Sequence, residues 1–183
     1  EEGGQTQSGN ITKAAATIGG YDNFKMSGGT LNLTNARAWV GSWTSSTTGK
    51  TNFNEMVLSG GTINLDNGGI TGMSGKVDEQ PVGTTIRLSG SNINVNGGQH
   101  NVINSLNIEM SAGEINVAEK TSLQISTYNK DGLEWGSEYD QAPSQNFVMT
   151  GGKLTNNGSV DVDAKQWSIQ NATVVNNGDM DLG

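Results

Sequence analysis

The stretch Phe24-Lys25-Met26-Ser27-Gly28-Gly29-Thr30-Leu31-Asn32-Leu33 decides the fold, because the chain repeats it. Met56-Val57-Leu58-Ser59-Gly60-Gly61-Thr62-Ile63-Asn64-Leu65 is a second copy and Ile86-Arg87-Leu88-Ser89-Gly90-Ser91-Asn92-Ile93-Asn94-Val95 a third. Ile108-Glu109-Met110-Ser111-Ala112-Gly113-Glu114-Ile115-Asn116-Val117 is a fourth. A fifth, Phe147-Val148-Met149-Thr150-Gly151-Gly152-Lys153-Leu154-Thr155-Asn156, lacks the closing apolar–Asn–apolar triplet. Within each copy apolar residues alternate with polar ones, the period of a strand with one face buried. The glycine pair between the two alternating runs supplies the positive φ that a corner needs. No stretch carries a sustained helical period, so almost no helix is expected. A phrase that recurs at irregular intervals marks a solenoid, each copy being one unit stacked on its neighbours.

The intervals show how the coils are built. The third residues of successive copies (Met26, Leu58, Leu88, Met110 and Met149) lie 32, 30, 22 and 39 residues apart. Asn156-Asn157-Gly158-Ser159-Val160-Asp161-Val162 and Asn176-Asn177-Gly178-Asp179-Met180-Asp181-Leu182 lie 20 apart. A bare coil thus takes about 20–22 residues, and the longer intervals add an insertion of roughly 8 to 17 residues that maps to a loop. The expected architecture is one all-β parallel solenoid over residues 1–183, with residues 1–20 irregular or capping and insertions near 36–54, 70–84 and 127–146. Seven or eight coils at ~4.8 Å make a rod on the order of 35 Å long. The expected inward set is Met26, Leu31, Leu33, Leu58, Ile63, Leu65, Leu88, Ile93, Val95, Met110, Ile115, Val117, Met149, Val160 and Val162. The Asn column between them (Asn32, Asn64, Asn94, Asn116) faces outward, where stacked amides can bond along the rod.

Composition agrees. Apolar residues make up 32% of the chain and aromatics 5%, while glycine supplies 27 residues. That is thin for a globular core but enough for a coil needing few inward side chains. A disordered polar chain would not need the strict alternation. The net charge is −8 and the only arginines are Arg37 and Arg87, so there is no basic cluster to meet nucleic acid or an anionic membrane surface. No run approaches the ~20 apolar residues of a membrane span. Residues Glu1-Glu2-Gly3-Gly4-Gln5 have neither the basic nor the apolar region of a signal peptide. Cysteine is absent, which excludes disulfides and thiolate metal sites.

Chemistry-bearing patterns are few. Gly49-Lys50-Thr51 resembles the end of a phosphate loop, but Thr44 stands where that motif needs glycine. His100, the only histidine, sits in a Gly-rich turn and reads as exposed. Gly72-Met73-Ser74-Gly75 falls short of a nucleophile elbow, with Lys76 following. Asp161/Asp163 and Asp179/Asp181 alternate with apolar residues on adjacent coils. That face could hold Ca²⁺ or work as an acid/base pair, but a solvated face that discourages edge pairing is the expected reading. No cofactor is expected. The aromatics concentrate in two insertions, around Trp39 and Trp43 and around Tyr128, Trp135 and Tyr139. Rings mixed with polar residues on loops favour partner contact, and rings flanked by Ala38 and Val40 suit packing equally well. Trp135 and Tyr139, set among Asp131, Glu134, Glu138 and Asp140, are expected to be exposed and to recognise a partner.

The Ser-Gly-Gly-Thr-Leu-Asn-Leu and Ser-Gly-Gly-Thr-Ile-Asn-Leu phrases, with the Asn-Asn-Gly coils near the C-terminal end, resemble the passenger regions of bacterial autotransporters and related secreted adhesins. The resemblance spans residues 24–182. It implies a right-handed parallel β-helix displayed outside the cell, non-catalytic, acting in adhesion, aggregation or biofilm formation. The implied partners are a host or bacterial surface glycan or protein, or a second copy of the rod. Polysaccharide-binding or polysaccharide-degrading β-helices of the lyase, hydrolase or phage tailspike type share the architecture and stand as the alternative.

Overall fold

The computed structural model describes residues 16–20, 22–44, 51–72, 74–77, 80–126 and 146–183. Among them there is no helix, and two parallel sheets wind up the rod in sequence order. One, here called sheet A, stacks Ala16–Gly20, Ala36–Val40, Gly69–Gly72, Asn101–Asn104, Ser122–Ser126, Ser159–Asp163 and Asp179–Asp181. The other, sheet B, stacks the phrase itself: Phe24–Thr34, Glu55–Asp66, Thr85–Gly97 and Asn107–Val117, then two coils in which it divides into separate strands. These are Asn146–Met149 with Lys153–Asn156, and Gln166–Ile169 with Thr173–Asn176. The chain is therefore a parallel β-helix. Seven stacked strands at ~4.8 Å make the described rod roughly 30 Å long.

Each phrase turns a corner at its Ser-Gly-Gly step or the equivalent Ser-Gly-Ser, Ser-Ala-Gly or Thr-Gly-Gly, so sheet B forms two sides of the coil and sheet A the third. Gly29, Gly61, Gly113 and Gly152 take φ of 80°, 87°, 92° and 82° there. The reason is close approach as well as dihedral freedom. A Cβ on Gly61 would lie 2.6 Å from the Gly29 carbonyl oxygen on the coil below, whereas one on Gly29, at the open end, would meet nothing within 4 Å.

The core lies inside the coil. Met56, Leu58, Ile63, Leu65, Ile86, Leu88, Ile93, Val95, Ile108, Met110, Ile115 and Val117 are buried in register above one another. The expected inward set is buried throughout, except that Leu31 on the first coil is only partly covered. Across the glycine corner the two inward positions are always seven residues apart, from Phe24 and Leu31 to Phe147 and Leu154. Trp167 and Val174 keep the same span. Residues 167–176 are thus a sixth copy that glycine-based reading misses, since Asn171 (φ 52°) supplies the left-handed residue instead. The fifth copy keeps the strand of the triplet with different residues in it. Leu154, Thr155 and Asn156 pair with Ile115, Asn116 and Val117, so Asn156 occupies an apolar slot. It is fully buried there, its amide donating to Asn176 Oδ1 and the Asp179 carbonyl while its Oδ1 accepts from Gly158 N–H.

The outward Asn column is a hydrogen-bonded ladder. Asn64 donates to Asn32 Oδ1 at 2.8 Å, Asn94 to Asn64 at 3.1 Å and Asn116 to Asn94 at 3.2 Å. Asn101 does similar work inside, accepting from Gly68 N–H and donating to the Gly97 and Ser122 carbonyls.

Two outcomes follow. Ile93→Asp buries an unpaired charge and should lower stability by several kcal/mol, read as a loss of strand signal at lower urea. Gly61→Ala should cost about 1–3 kcal/mol, since it adds a backbone clash to a strained φ, and Gly29→Ala should cost clearly less. Equal losses at the two glycines would mean that stacking contributes nothing at the corner.

Candidate functional site

The third corner, where sheet A hands the chain back to sheet B, is where the coils differ. Inward residues flanking it are five apart when the corner is bare, as from Ile103 to Ile108 and from Val162 to Trp167. From Val40 to Met56 and from Ile70 to Ile86 the distance is 16, and from Ile125 to Phe147 it is 22. All three insertions thus leave from one corner of the rod, on the second, third and fifth coils.

Their bases are tied to that corner. Gly41 N–H donates to the Gly20 carbonyl, and Asn54 Nδ2 donates back to the Gly41 carbonyl at 2.9 Å, closing the first insertion. Its backbone forms an antiparallel hairpin of Ser42–Thr44 with Thr51–Phe53. The second is a hairpin of Ser74–Val77 with Gln80–Gly83, and beside it Thr84 Oγ1 and Ser105 Oγ share a buried hydrogen bond of 3.0 Å. The third departs after Ser126, whose carbonyl accepts from Ser105 N–H, and returns at Asn146, whose N–H donates to the Leu106 carbonyl.

The aromatics expected to meet a partner are placed unequally. Trp39 is not in a loop. It belongs to the strand Ala36–Val40, where Ala38 and Val40 continue the core and Trp39 stands half-buried on the outer side over Gly19. The first insertion therefore begins after Val40, and its expected start at 36 came from reading Trp39 with Trp43. Trp43 sits in the first hairpin, its backbone opposite Asn52. Tyr128, Trp135 and Tyr139 lie outside the described residues, on the insertion leaving the same corner.

The acidic face is less concentrated than its sequence spacing suggests. Asp161 pairs in register with Asp181, but Asp179 stacks on Ser159 and Asp163 on Ser126. The two pairs are offset by one outward position. Among the described residues no three His, Cys, Asp or Glu side chains gather as a metal site. His100 is exposed in its turn. Arg87 is held on another side of the rod between Glu55 (3.0 Å) and Glu109. An open hollow of about 480 Å³ lined by residues 24–31 is the free edge of the first coil.

Sequence reading passed over Arg37. Register places it on the outer face of sheet A, opposite Gly69, while Ala38 next to it points inward with Ile70. Yet it is only 8% exposed, and its Nη1 has no hydrogen-bond partner. Thr71, Val102 and Ser126, also outward by register, are buried too. This strip beside the insertions is largely covered, with Trp39, Asn104 and Gln124 partly exposed, whereas Asp181 on the last coil is exposed. Burial lowers the Arg37 pKa to about 10, so the guanidinium remains charged at neutral pH. Only the alternation of Arg37 and Trp39 with Ala38 and Val40 hinted at this strip.

The sign of its stability effect follows. The folded pKa lies below the ordinary arginine value, so between the two the folded state binds fewer protons, and it gains stability as pH rises through about 10. Below that, burial costs on the order of 3 kcal/mol. Arg37→Met in low-salt buffer should be the more stable protein at pH 8, with the gap closing above pH 10. Urea unfolding at a series of pH values checks this, and a less stable variant at pH 8 would contradict it.

No protein-family model matches the chain, and neither a curated protein nor a solved structure matches it.

Proposed function

We propose that this chain is a non-catalytic segment of a secreted or cell-surface adhesin, a β-helical rod that carries a contact surface on one corner. The observation that carries this is the gathering of all three long insertions on a single corner, while the glycine corner keeps a constant span and the passage from sheet B to sheet A varies by at most three residues. A rod that served only as a spacer would have no reason to concentrate its length variation, while a scaffold that presents loops does. The passenger-like phrase supports display outside the cell. Among the described residues, the scatter of the carboxylates, the engagement of Arg87 with Glu55 and Glu109, and the turn position of His100 weigh against a hydrolase or lyase centre, which needs such groups together. The partner is a surface glycan or protein, or a second rod.

Glycan-array binding and cell aggregation by the intact chain, compared with a Trp135→Ala/Tyr139→Ala double variant, test the reading. Binding should fall at least tenfold with the melting temperature unchanged. Unchanged binding with a lowered melting temperature would make these rings packing residues and place the contact elsewhere.

A further inference from the structure

Both sheets end in strands that have a neighbour on one side only. At the first end these are Ala16–Gly20 and Phe24–Thr34, and at the last end Gln166–Ile169, Thr173–Asn176 and Asp179–Asp181. Such rows of free N–H and C=O groups are normally blunted by proline, by charge or by a cover. Neither Pro81 nor Pro143 lies on these strands, and Lys25 is the only charged residue on the sheet B edges. Among the described residues, the large apolar side chains that stand exposed are Ile18 (47%) and Trp167 (46%), one at each end. Beside them Phe24 and Leu31 at the first end, and Ile169, Val174 and Leu182 at the last, are only partly covered. The hollow along residues 24–31 opens on the first end. The two ends also match residue for residue. One inward row runs from Phe24 to Trp167 and a second from Leu31 to Val174, with the same seven-residue span at both ends. A third starts at Ile18 and reaches Val162, and Leu182 follows in line because Asp181 pairs with Asp161.

We propose that the last coil of one rod seats on the first coil of a second copy, so that rods join head to tail as though the β-helix continued. Trp167 then stands over Phe24 and the hollow, Val174 over Leu31 and Leu182 over Ile18, which are the apolar stackings that every interior coil makes. Ser168 falls in the row of Lys25, so no like charges oppose each other there. Asn176 falls in the row of Leu33 and is a polar residue in the seam, its Oδ1 already accepting from Asn156. Head-to-tail contact keeps strand direction and winding. Contact between like ends reverses the strands and lets at most one of the three sides meet its equivalent. A heterologous contact of this kind does not close on itself and builds a linear chain of rods. Repulsion between copies that each carry −8 opposes it at long range, so salt should promote it. The seam is separate from the insertion-bearing corner, and the inference does not depend on what that corner binds.

Sedimentation velocity and small-angle X-ray scattering of the intact chain over a concentration series test it. Mass should grow with concentration and with added sodium chloride, the particle lengthening by roughly 30 Å per copy at constant cross-section. Trp167→Lys and Ile18→Lys each spoil one end, and each alone should associate at least tenfold more weakly. Mixed in equal amounts they should form a dimer and stop there, because Trp167→Lys keeps a sound first end and Ile18→Lys a sound last end. A wild-type chain that stays monomeric throughout overturns the proposal, as does growth in cross-section instead of length. Full-strength association of Ile18→Lys by itself would show a like-end contact through Trp167 and overturn it too. If a lysine variant does not fold, the wild-type series still decides, since length and cross-section separate end-to-end from side-by-side contact. The Trp135→Ala/Tyr139→Ala variant should assemble like the wild type. Loss of assembly in that variant would move self-contact to the insertion corner and remove it from the ends.

Discussion

Everything in this rod depends on coils stacking in register across the glycine corner. Parallel strands bond to the coil above and the coil below, and inward side chains rest on their equivalents in those coils. One residue more or less within the phrase would turn its inward set outward and leave two neighbours uncovered. The seven-residue span across that corner is accordingly held in all six copies, four with a left-handed glycine, the sixth with Asn171 and the third, with Ser91, without a left-handed residue. Length variation has to go where strands end: the long insertions all leave where sheet A hands the chain back to sheet B, and the passage from sheet B to sheet A absorbs differences of up to three residues.

The same geometry explains how so little apolar sequence supports a fold. An inward residue needs to cover only the core of one thin coil, and Met56, Leu58 and Ile63 are closed off by the layers on either side. Polar groups that would be costly in a globular interior are satisfied by repetition. Each amide of the Asn ladder finds the next amide in line, and Asn101 and Asn156 saturate backbone groups at the turns. Arg87 bridges carboxylates on the coils below and above. Among the described residues, Arg37 and Thr155 depart from this economy, Arg37 as a charge buried on the outer face with one nitrogen unpaired.

The insertions were legible as excess interval between copies, and so were the aromatics they carry. Their common corner was not, because interval counts do not say which of three corners has grown. Reading Ala38-Trp39-Val40-Gly41-Ser42-Trp43 as a loop failed because proximity in sequence suggested one aromatic cluster. Register instead assigns Ala38 and Val40 to the core and leaves Trp39 on the strand. The acidic pairs show the same limit, since a 20-residue repeat stacks Asp161 on Asp181 and Asp163 on nothing acidic.

What the sequence determined by itself was whatever repeats: period-two alternation, the glycine turn and the Asn column force stacking because no single coil can bury its apolar face alone. What only the tertiary structure decided was whatever happens once. The gathering of three insertions, the largely covered outer strip and the burial of Arg37 arise from residues 30 or more positions apart meeting across coils, such as Arg37 with Gly69. Local pattern carries no information about such a meeting, because it depends on how many residues each intervening corner consumes.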